Sequence, residues 1–317
     1  VTTGGARGAV APTAPSPAPL LLVSDVDGTL LDDRGQLPVS PATLRAALAA
    51  LARTRGTPVY FALASSRTVR ELVVLQRALG VRGPLIAEDG GVLALDVDDM
   101  RRAPHDAARD RERDPEHDVE REIVRFGRRP LVCEPLAPRA AALRQVLRSD
   151  EALAPLLAAD AAAQGTSQQE ALGFRSRGAR RRALVSRHYS LLVDPTPLDG
   201  ATLARARTAC AAHGLHCLRG GRWLTVSGAA GKGAALMHLR NHLAMCDVSP
   251  TIAAIGNEEN DRSLLAAADV AFVIDNPGRG PHPALAGIAG AIILQVPGTG
   301  GWMDMLTRLT TRAPEHD

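Results

Sequence analysis

The chain has 317 residues, 37 basic against 34 acidic side chains for a net charge of +3, and 45% hydrophobic but only 3% aromatic residues. That hydrophobic content excludes wholesale disorder, and the length suggests two domains. The near-balanced charge argues against a nucleic-acid partner, and no apolar run approaches the roughly 20 residues of a membrane span.

With so few aromatics the core must be built from Leu, Val, Ala and Ile, which suits a parallel α/β sheet. Residues 1–19 are dominated by Gly, Ala, Pro, Ser and Thr. They are expected to form a flexible tail, and they lack the apolar segment of a secretory signal. Leu20 to Ser24 is a short apolar run ending at Asp25, and it reads as a buried strand. A helix is predicted over 41–55, with Ser40 as its N-cap, Pro41 at its first position and Gly56 beyond its end. A strand over 59–64, a helix over 69–79 and a short strand over 85–87 follow. This alternation marks a parallel sheet with crossover helices. From Asp96 to Arg125 acids and arginines alternate around Pro104 and Pro115, which predicts a solvated and mobile stretch. Residues 126–227 have another rhythm, with helices expected over 136–147 and 201–213 and strands over 190–193 and 223–226. After Gly231 the first rhythm returns: helix over 234–243, strand over 251–255, helix over 261–268, strand over 270–274. The expected fold class is therefore α/β. A Rossmann-like parallel-sheet core over 20–95 and 228–310 is interrupted by an inserted α+β cap over 96–227.

Four cysteines, Cys133, Cys210, Cys217 and Cys246, form no CxxC pair, and a reducing cytoplasm fits them. Cys210, His213, His216 and Cys217 are metal-ligand types in a short space. Gly214 reads as a helix C-cap, however, which parts the first two on a helix from the last two on a strand.

Chemistry-bearing residues cluster at predicted strand ends, where α/β proteins place their sites. Asp25-Val26-Asp27-Gly28-Thr29 follows the first strand, and two carboxylates at i and i+2 there can serve one metal and one substrate. A calcium loop is excluded, because the twelfth position counted from Asp25 is Gln36 rather than Glu. Ser65-Ser66-Arg67 stands between the second strand and its helix, where hydroxyls and a helix N-terminus make an anion site; alone, it would be a plain N-cap. Gly231-Lys232-Gly233 opens a later helix. It is no Walker loop, since Val226 and Gly233 stand where Gly and Ser or Thr are required. Lys232 is the one lysine against 36 arginines, in a position where a compact ammonium differs from a planar fork. Asn257-Glu258-Glu259-Asn260-Asp261 follows another strand, with oxygens that suit a hard cation.

In this order the four elements resemble the haloacid dehalogenase-like phosphohydrolases over roughly residues 20–95 and 228–305. The intervening segment looks like the large α/β cap of their sugar-phosphatase branch. Further stretches are similar to the mannosyl-3-phosphoglycerate phosphatases: Ser65-Ser66-Arg67-Thr68, Glu88-Asp89-Gly90-Gly91, Arg187-His188-Tyr189-Ser190, Arg219-Gly220-Gly221-Arg222-Trp223 and Pro297–Trp302. The resemblance implies Asp25 as nucleophile, Asp27 as general acid and base, and Ser65 and Lys232 as phosphate-binding catalytic residues. It implies Mg2+ held by Asp25, Asp27, Asn257 and Asp261, with Asn257 departing from the family's usual Asp. Ser66, Arg67, Arg187, Ser190, Arg219, Gly220, Gly221 and Arg222 are implied as substrate-binding. The implied activity is hydrolysis of a glycosyl-3-phosphoglycerate, foremost mannosyl-3-phosphoglycerate to mannosylglycerate, by a monomer or homodimer. The alternatives are a phosphatase of glucosyl-3-phosphoglycerate or of general sugar phosphates, and a catalytically weak ligand-binding protein on the same fold.

Overall fold

The computed structural model describes residues 18–96, 121–126, 129–164, 186–220, 223–228 and 231–311, with 161–164 as backbone only. Most of the expected tail, most of the charged stretch, Gly221 and Arg222 lie outside the described residues.

The first half of the core runs β1 (Leu20–Ser24), α1 (Pro41–Arg55), β2 (Val59–Ala64), α2 (Val69–Leu79) and β3 (Leu85–Ala87). Local chemistry fixes the helix starts. Ser40 accepts from the backbone N–H of Thr43, and Thr68 closes a capping box with Glu71. A turn at Glu88–Gly90 then leads into β4 (Val92–Asp96). It is too short for a crossover, so β4 runs antiparallel to β3. Two more antiparallel strands follow, β5 (Glu122–Phe126) and β6 (Arg129–Pro135).

Next come α3 (Ala140–Ser149), α4 (Ala154–Gln164), β7 (Ser190–Val193), α5 (Gly200–Ala212), β8 (His216–Gly220) and β9 (Trp223–Ser227). The chain returns through α6 (Lys232–Met245), β10 (Thr251–Gly256), α7 (Arg262–Ala266), β11 (Val270–Val273), β12 (Ile292–Ile293) and α8 (Gly300–Thr311). Among the described residues the large sheet has nine strands in the order β12-β11-β10-β1-β2-β3-β4-β6-β5. From β12 to β3 every pairing is parallel; from β3 to β5 every pairing is antiparallel. The parallel core is as expected, but its antiparallel extension is not. Residues 122–135 were expected outside the core, yet β6 turns Leu131 and Cys133 inward and pairs with β4 along its length. Arg129 seals this edge by donating to Asp96 at 2.8 Å and to Gln76 at 2.7 Å.

Alternate residues of β1 point to opposite faces, as the pleat requires. Leu20 and Leu22 join an apolar cluster with α1, α2 and α8, whereas Leu21 and Val23 join another with α6 and α7. The sheet is thus buried on both faces. A separate antiparallel sheet, β7-β9-β8, carries a third cluster with α3, α4 and α5. Gly214 has a φ of 68° at the end of α5, and the thiols of Cys210 and Cys217 are buried in that cluster.

Helix α8 reaches back to the centre of the sheet. Fully buried Trp302 meets Phe61 edge-on and donates from Nε1 to Ser24 Oγ at 2.9 Å. Ser24 in turn donates to the carbonyl of Asp25 at 2.6 Å. Trp302→Phe keeps an aromatic ring but removes this donor. It should lower unfolding free energy by about 1–3 kcal/mol in urea titration; unchanged stability would mean that the indole contributes packing alone.

Candidate active site

The ends of β1, β2, β3 and β10 bring four loops together. Asp25 follows β1, 5% exposed, with its N–H on the carbonyl of Ile255 at 3.0 Å. Gly28 has a φ of 80°, and a Cβ there would lie 2.4 Å from Asn257 Nδ2. Only glycine lets these two loops approach so closely.

Lys232 is the first residue of α6 and fully buried. Its Nζ donates at 2.6 Å to Asp25 Oδ1 and at 2.6 Å to Asp261 Oδ1, and lies 3.9 Å from Asp89 Oδ1. Burial opposes its charge, but Asp25, Asp261 and Asp89 together hold its pKa above that of a free lysine. Asp25 is pushed the other way. Burial, reinforced by Asp261, raises its carboxyl to about 7 against the lowering effect of Lys232. One ammonium therefore does not neutralise the surrounding carboxylates.

Asp261 spends both oxygens within the protein. Oδ1 meets Lys232, and Oδ2 accepts from the N–H groups of Asn257 at 2.9 Å and Glu258 at 3.0 Å. It shapes the acidic loop and anchors Lys232. Asn257 Oδ1 accepts from the Thr29 hydroxyl at 2.9 Å, and its Nδ2 donates to Asn276 Oδ1 at 2.8 Å. The amide is thus fitted to its neighbours on both sides. Asn257→Asp would turn that donor into an acceptor facing Asn276. In metal-free buffer the variant should lose about 1–3 kcal/mol of stability, while magnesium should raise its melting temperature more than that of the unaltered protein. An equal magnesium response in both would place residue 257 away from the cation.

On the opposite side Ser65, 1% exposed, accepts from the Arg67 N–H at 3.2 Å through its hydroxyl. Arg67 forks onto Asp27, with Nε to Oδ2 at 2.9 Å and Nη2 to Oδ1 at 2.6 Å. Unlike Asp25, the Asp27 side chain is half-exposed.

The turn after β3 joins the two sheets. Glu88 and Asp89 both have positive φ, 52° and 55°, a strained backbone for residues with a Cβ. Buried Glu88 compensates by accepting from the N–H groups of His188 and Tyr189 and from the Ser190 hydroxyl, at 3.1, 2.8 and 2.9 Å. Arg187 Nη1 donates to the Ser66 carbonyl at 2.9 Å and to Ser190 Oγ at 2.8 Å. Arg187, Ser190 and the Ser66 carbonyl, expected around substrate, are here engaged in this junction. Exposed Arg219 donates its N–H to Glu259 at 3.3 Å, and Gly220 packs against the Asn260 amide, which donates to Asp89 at 2.8 Å. The structural parts of Glu88 and Asp89 were not foreseen; the Glu-Asp-Gly-Gly run was their only signal.

The donor chemistry fits a small hard cation beside Asp25. Among the described residues no three acidic, His or Cys side chains converge as a cage. Magnesium asks for less, since it keeps several waters and takes one or two carboxylates plus substrate phosphate. The Asp25 carboxylate, the Asp27 carbonyl and the second lone pair of Asn257 Oδ1 are the fitting donors.

Residues 22–106 match the model of a family described as haloacid dehalogenase-like hydrolase. The fold is similar to that of a Thermoplasma acidophilum protein, at 14% identity and a TM-score of 0.55, covering 92% of this chain and 98% of that one. It is also similar to a haloacid dehalogenase-like hydrolase from Bacteroides thetaiotaomicron, at 14% identity and a TM-score of 0.53, over 91% and 98% of the two chains. A sucrose-phosphatase from a Synechocystis species, solved with sucrose and phosphate, matches at 16% identity and a TM-score of 0.51, over 92% and 97%. The family match thus rests on residues 22–106, and the likeness to the solved structures, which spans most of the chain, is one of fold. Among the described residues no helix is long and apolar enough to cross a membrane.

Proposed function

We propose that the protein is a magnesium-dependent phosphatase of phosphorylated sugar acids, with a glycosyl-3-phosphoglycerate, foremost mannosyl-3-phosphoglycerate, as substrate. The observation that carries this reading is the buried Lys232 ammonium bridging Asp25 and Asp261 at the end of a central parallel strand. An incoming phosphate dianion meets a nucleophile whose charge Lys232 offsets in part.

Asp25 attacks phosphorus, and the bond to the sugar-acid oxygen breaks. Asp27 gives its proton to that departing oxygen. Water then attacks phosphorus and gives a proton to Asp27, the acyl phosphate bond breaks, and Asp25 is regenerated. Ser65 and Lys232 hold phosphate oxygens throughout. When bound, magnesium supplies charge neutralisation on the transferring phosphoryl group. Arg219 and Arg222 are proposed to recognise the substrate carboxylate, for which a guanidinium fork is suited.

The direct test is phosphate release, with and without magnesium, from p-nitrophenyl phosphate and from a panel of phosphorylated sugars and sugar acids. Preference for mannosyl-3-phosphoglycerate supports the full reading, and preference for a simple sugar phosphate corrects the substrate. Tight ligand binding without phosphate release would favour the non-catalytic alternative, to which the uncharged Asn257 points.

A further inference from the structure

The fork between Arg67 and Asp27 poses a problem for turnover. Both Asp27 oxygens accept from Arg67, at 2.9 and 2.6 Å. Each oxygen keeps one lone pair, but the two-oxygen edge of the carboxylate is turned to the guanidinium rather than to the oxygen of a departing alcohol. Nearly half of the Asp27 side chain is exposed, and 29% of that of Arg67. Exposed ion pairs are weak, and an incoming anion can replace one partner. The Arg67 backbone is well fixed by comparison. Its N–H lies on Ser65 Oγ, and its carbonyl accepts from the N–H of Glu88 at 2.9 Å. Only the side chain has to move.

We propose that Arg67 is a specificity-determining residue that exchanges Asp27 for an anionic group of the substrate, releasing Asp27 for the leaving-group oxygen. The group suited to this exchange is a carboxylate. It offers the guanidinium the same two-oxygen edge that Asp27 presents, so one bidentate contact replaces another. A phosphate ester without a second anion leaves Asp27 in the fork and turns over slowly. Selection of phosphorylated acids thus begins at the reacting centre, in the core, in addition to any selection by the cap. The inference rests on the phosphatase reading.

The test uses two alkyl esters that differ in the carboxylate, 3-phosphoglycerate and glycerol 3-phosphate, with the full chain and magnesium. The unaltered protein should favour 3-phosphoglycerate. In Arg67→Met, kcat for glycerol 3-phosphate should rise about two- to fivefold, the scale of one weak ion pair released. Over the same substitution kcat/KM for 3-phosphoglycerate should fall about tenfold or more, as expected for a lost charge-assisted contact. A fall on both esters would overturn the exchange and make Arg67 a support for Asp27. An unchanged preference would overturn it too. Failure of the unaltered protein to release phosphate even from p-nitrophenyl phosphate, whose leaving group needs no proton, would instead sink the phosphatase reading, and this inference with it.

Discussion

Lys232→Arg is expected to abolish turnover and to weaken the fold, although it keeps the charge. The ammonium is fully buried and stands 2.6 Å from each of two carboxylates on different loops. A guanidinium is wider, planar and longer-stemmed, so it cannot occupy the point midway between Asp25 and Asp261. The start of α6 cannot retreat to make room. A Cβ at Gly233 would lie 2.2 Å from the Ser263 carbonyl oxygen, so α6 and α7 are already in backbone contact. Overpacking and imperfect pairing of buried charge together should cost about 2–4 kcal/mol. Turnover should fall on the order of a thousandfold, as when a preorganised charge is removed from a reacting centre. Urea unfolding and phosphate release measure the two effects separately. Near-normal activity in a folded Arg variant would mean that Lys232 acts as charge alone. In a chain with 36 arginines and one lysine, that geometric demand also explains why lysine stands here.

The parallel half of the sheet was legible because its strands are continuous apolar runs closed by turn residues, and its first helix carries a strong cap at Ser40; the capping box at Thr68 emerged only in the structure. The antiparallel extension was not. β4 lies just beyond the Glu88–Gly91 turn, and β5 contains Glu122 and Arg125 at an exposed sheet edge, where charge patterning reads as loop. Its partner β6 carries two prolines, Pro130 and Pro135, which demote a strand in any local reading. At the site, Asp25, Asp27, Ser65, Lys232 and Asn257 converge as strand-end positions should. What sequence could not convey is which carboxylate is spent on which cation. The family resemblance implies Asp261 on a metal and Arg67 on a substrate. The folded chain puts Asp261 under Lys232 and Arg67 across Asp27, both through contacts between distant segments.

Asp25→Asn is expected to lose at least about a thousandfold in turnover and to gain stability. On the proposed mechanism the activity loss follows from replacing the attacking carboxylate with an amide, and no phosphorylated protein should accumulate. The stability gain follows from the carboxyl's environment. Burial and Asp261 outweigh Lys232 and raise Asp25 from an ordinary 3.8 to about 7. The unfolded chain therefore releases this proton near pH 4, whereas the folded chain keeps it until about pH 7. The raised group favours folding fully below the unfolded value, and that contribution is lost as pH climbs through the folded one. Metal-free protein should accordingly become less stable between pH 4 and pH 8, by about 2–4 kcal/mol from this group. The Asn variant has no proton to release and should lack this slope. Lys232 keeps Asp261 as its partner in the variant, so no buried charge is stranded. The gap in melting temperature between variant and unaltered protein should widen in favour of Asn as pH rises, and magnesium should narrow it by neutralising the ionised carboxylate. A protein whose metal-free stability instead rises from pH 4 to pH 8 in step with Asp25 would show that Lys232 dominates the pocket. The nucleophile would then be held ionised at a gain to folding, rather than at the cost to stability that a functional site commonly carries.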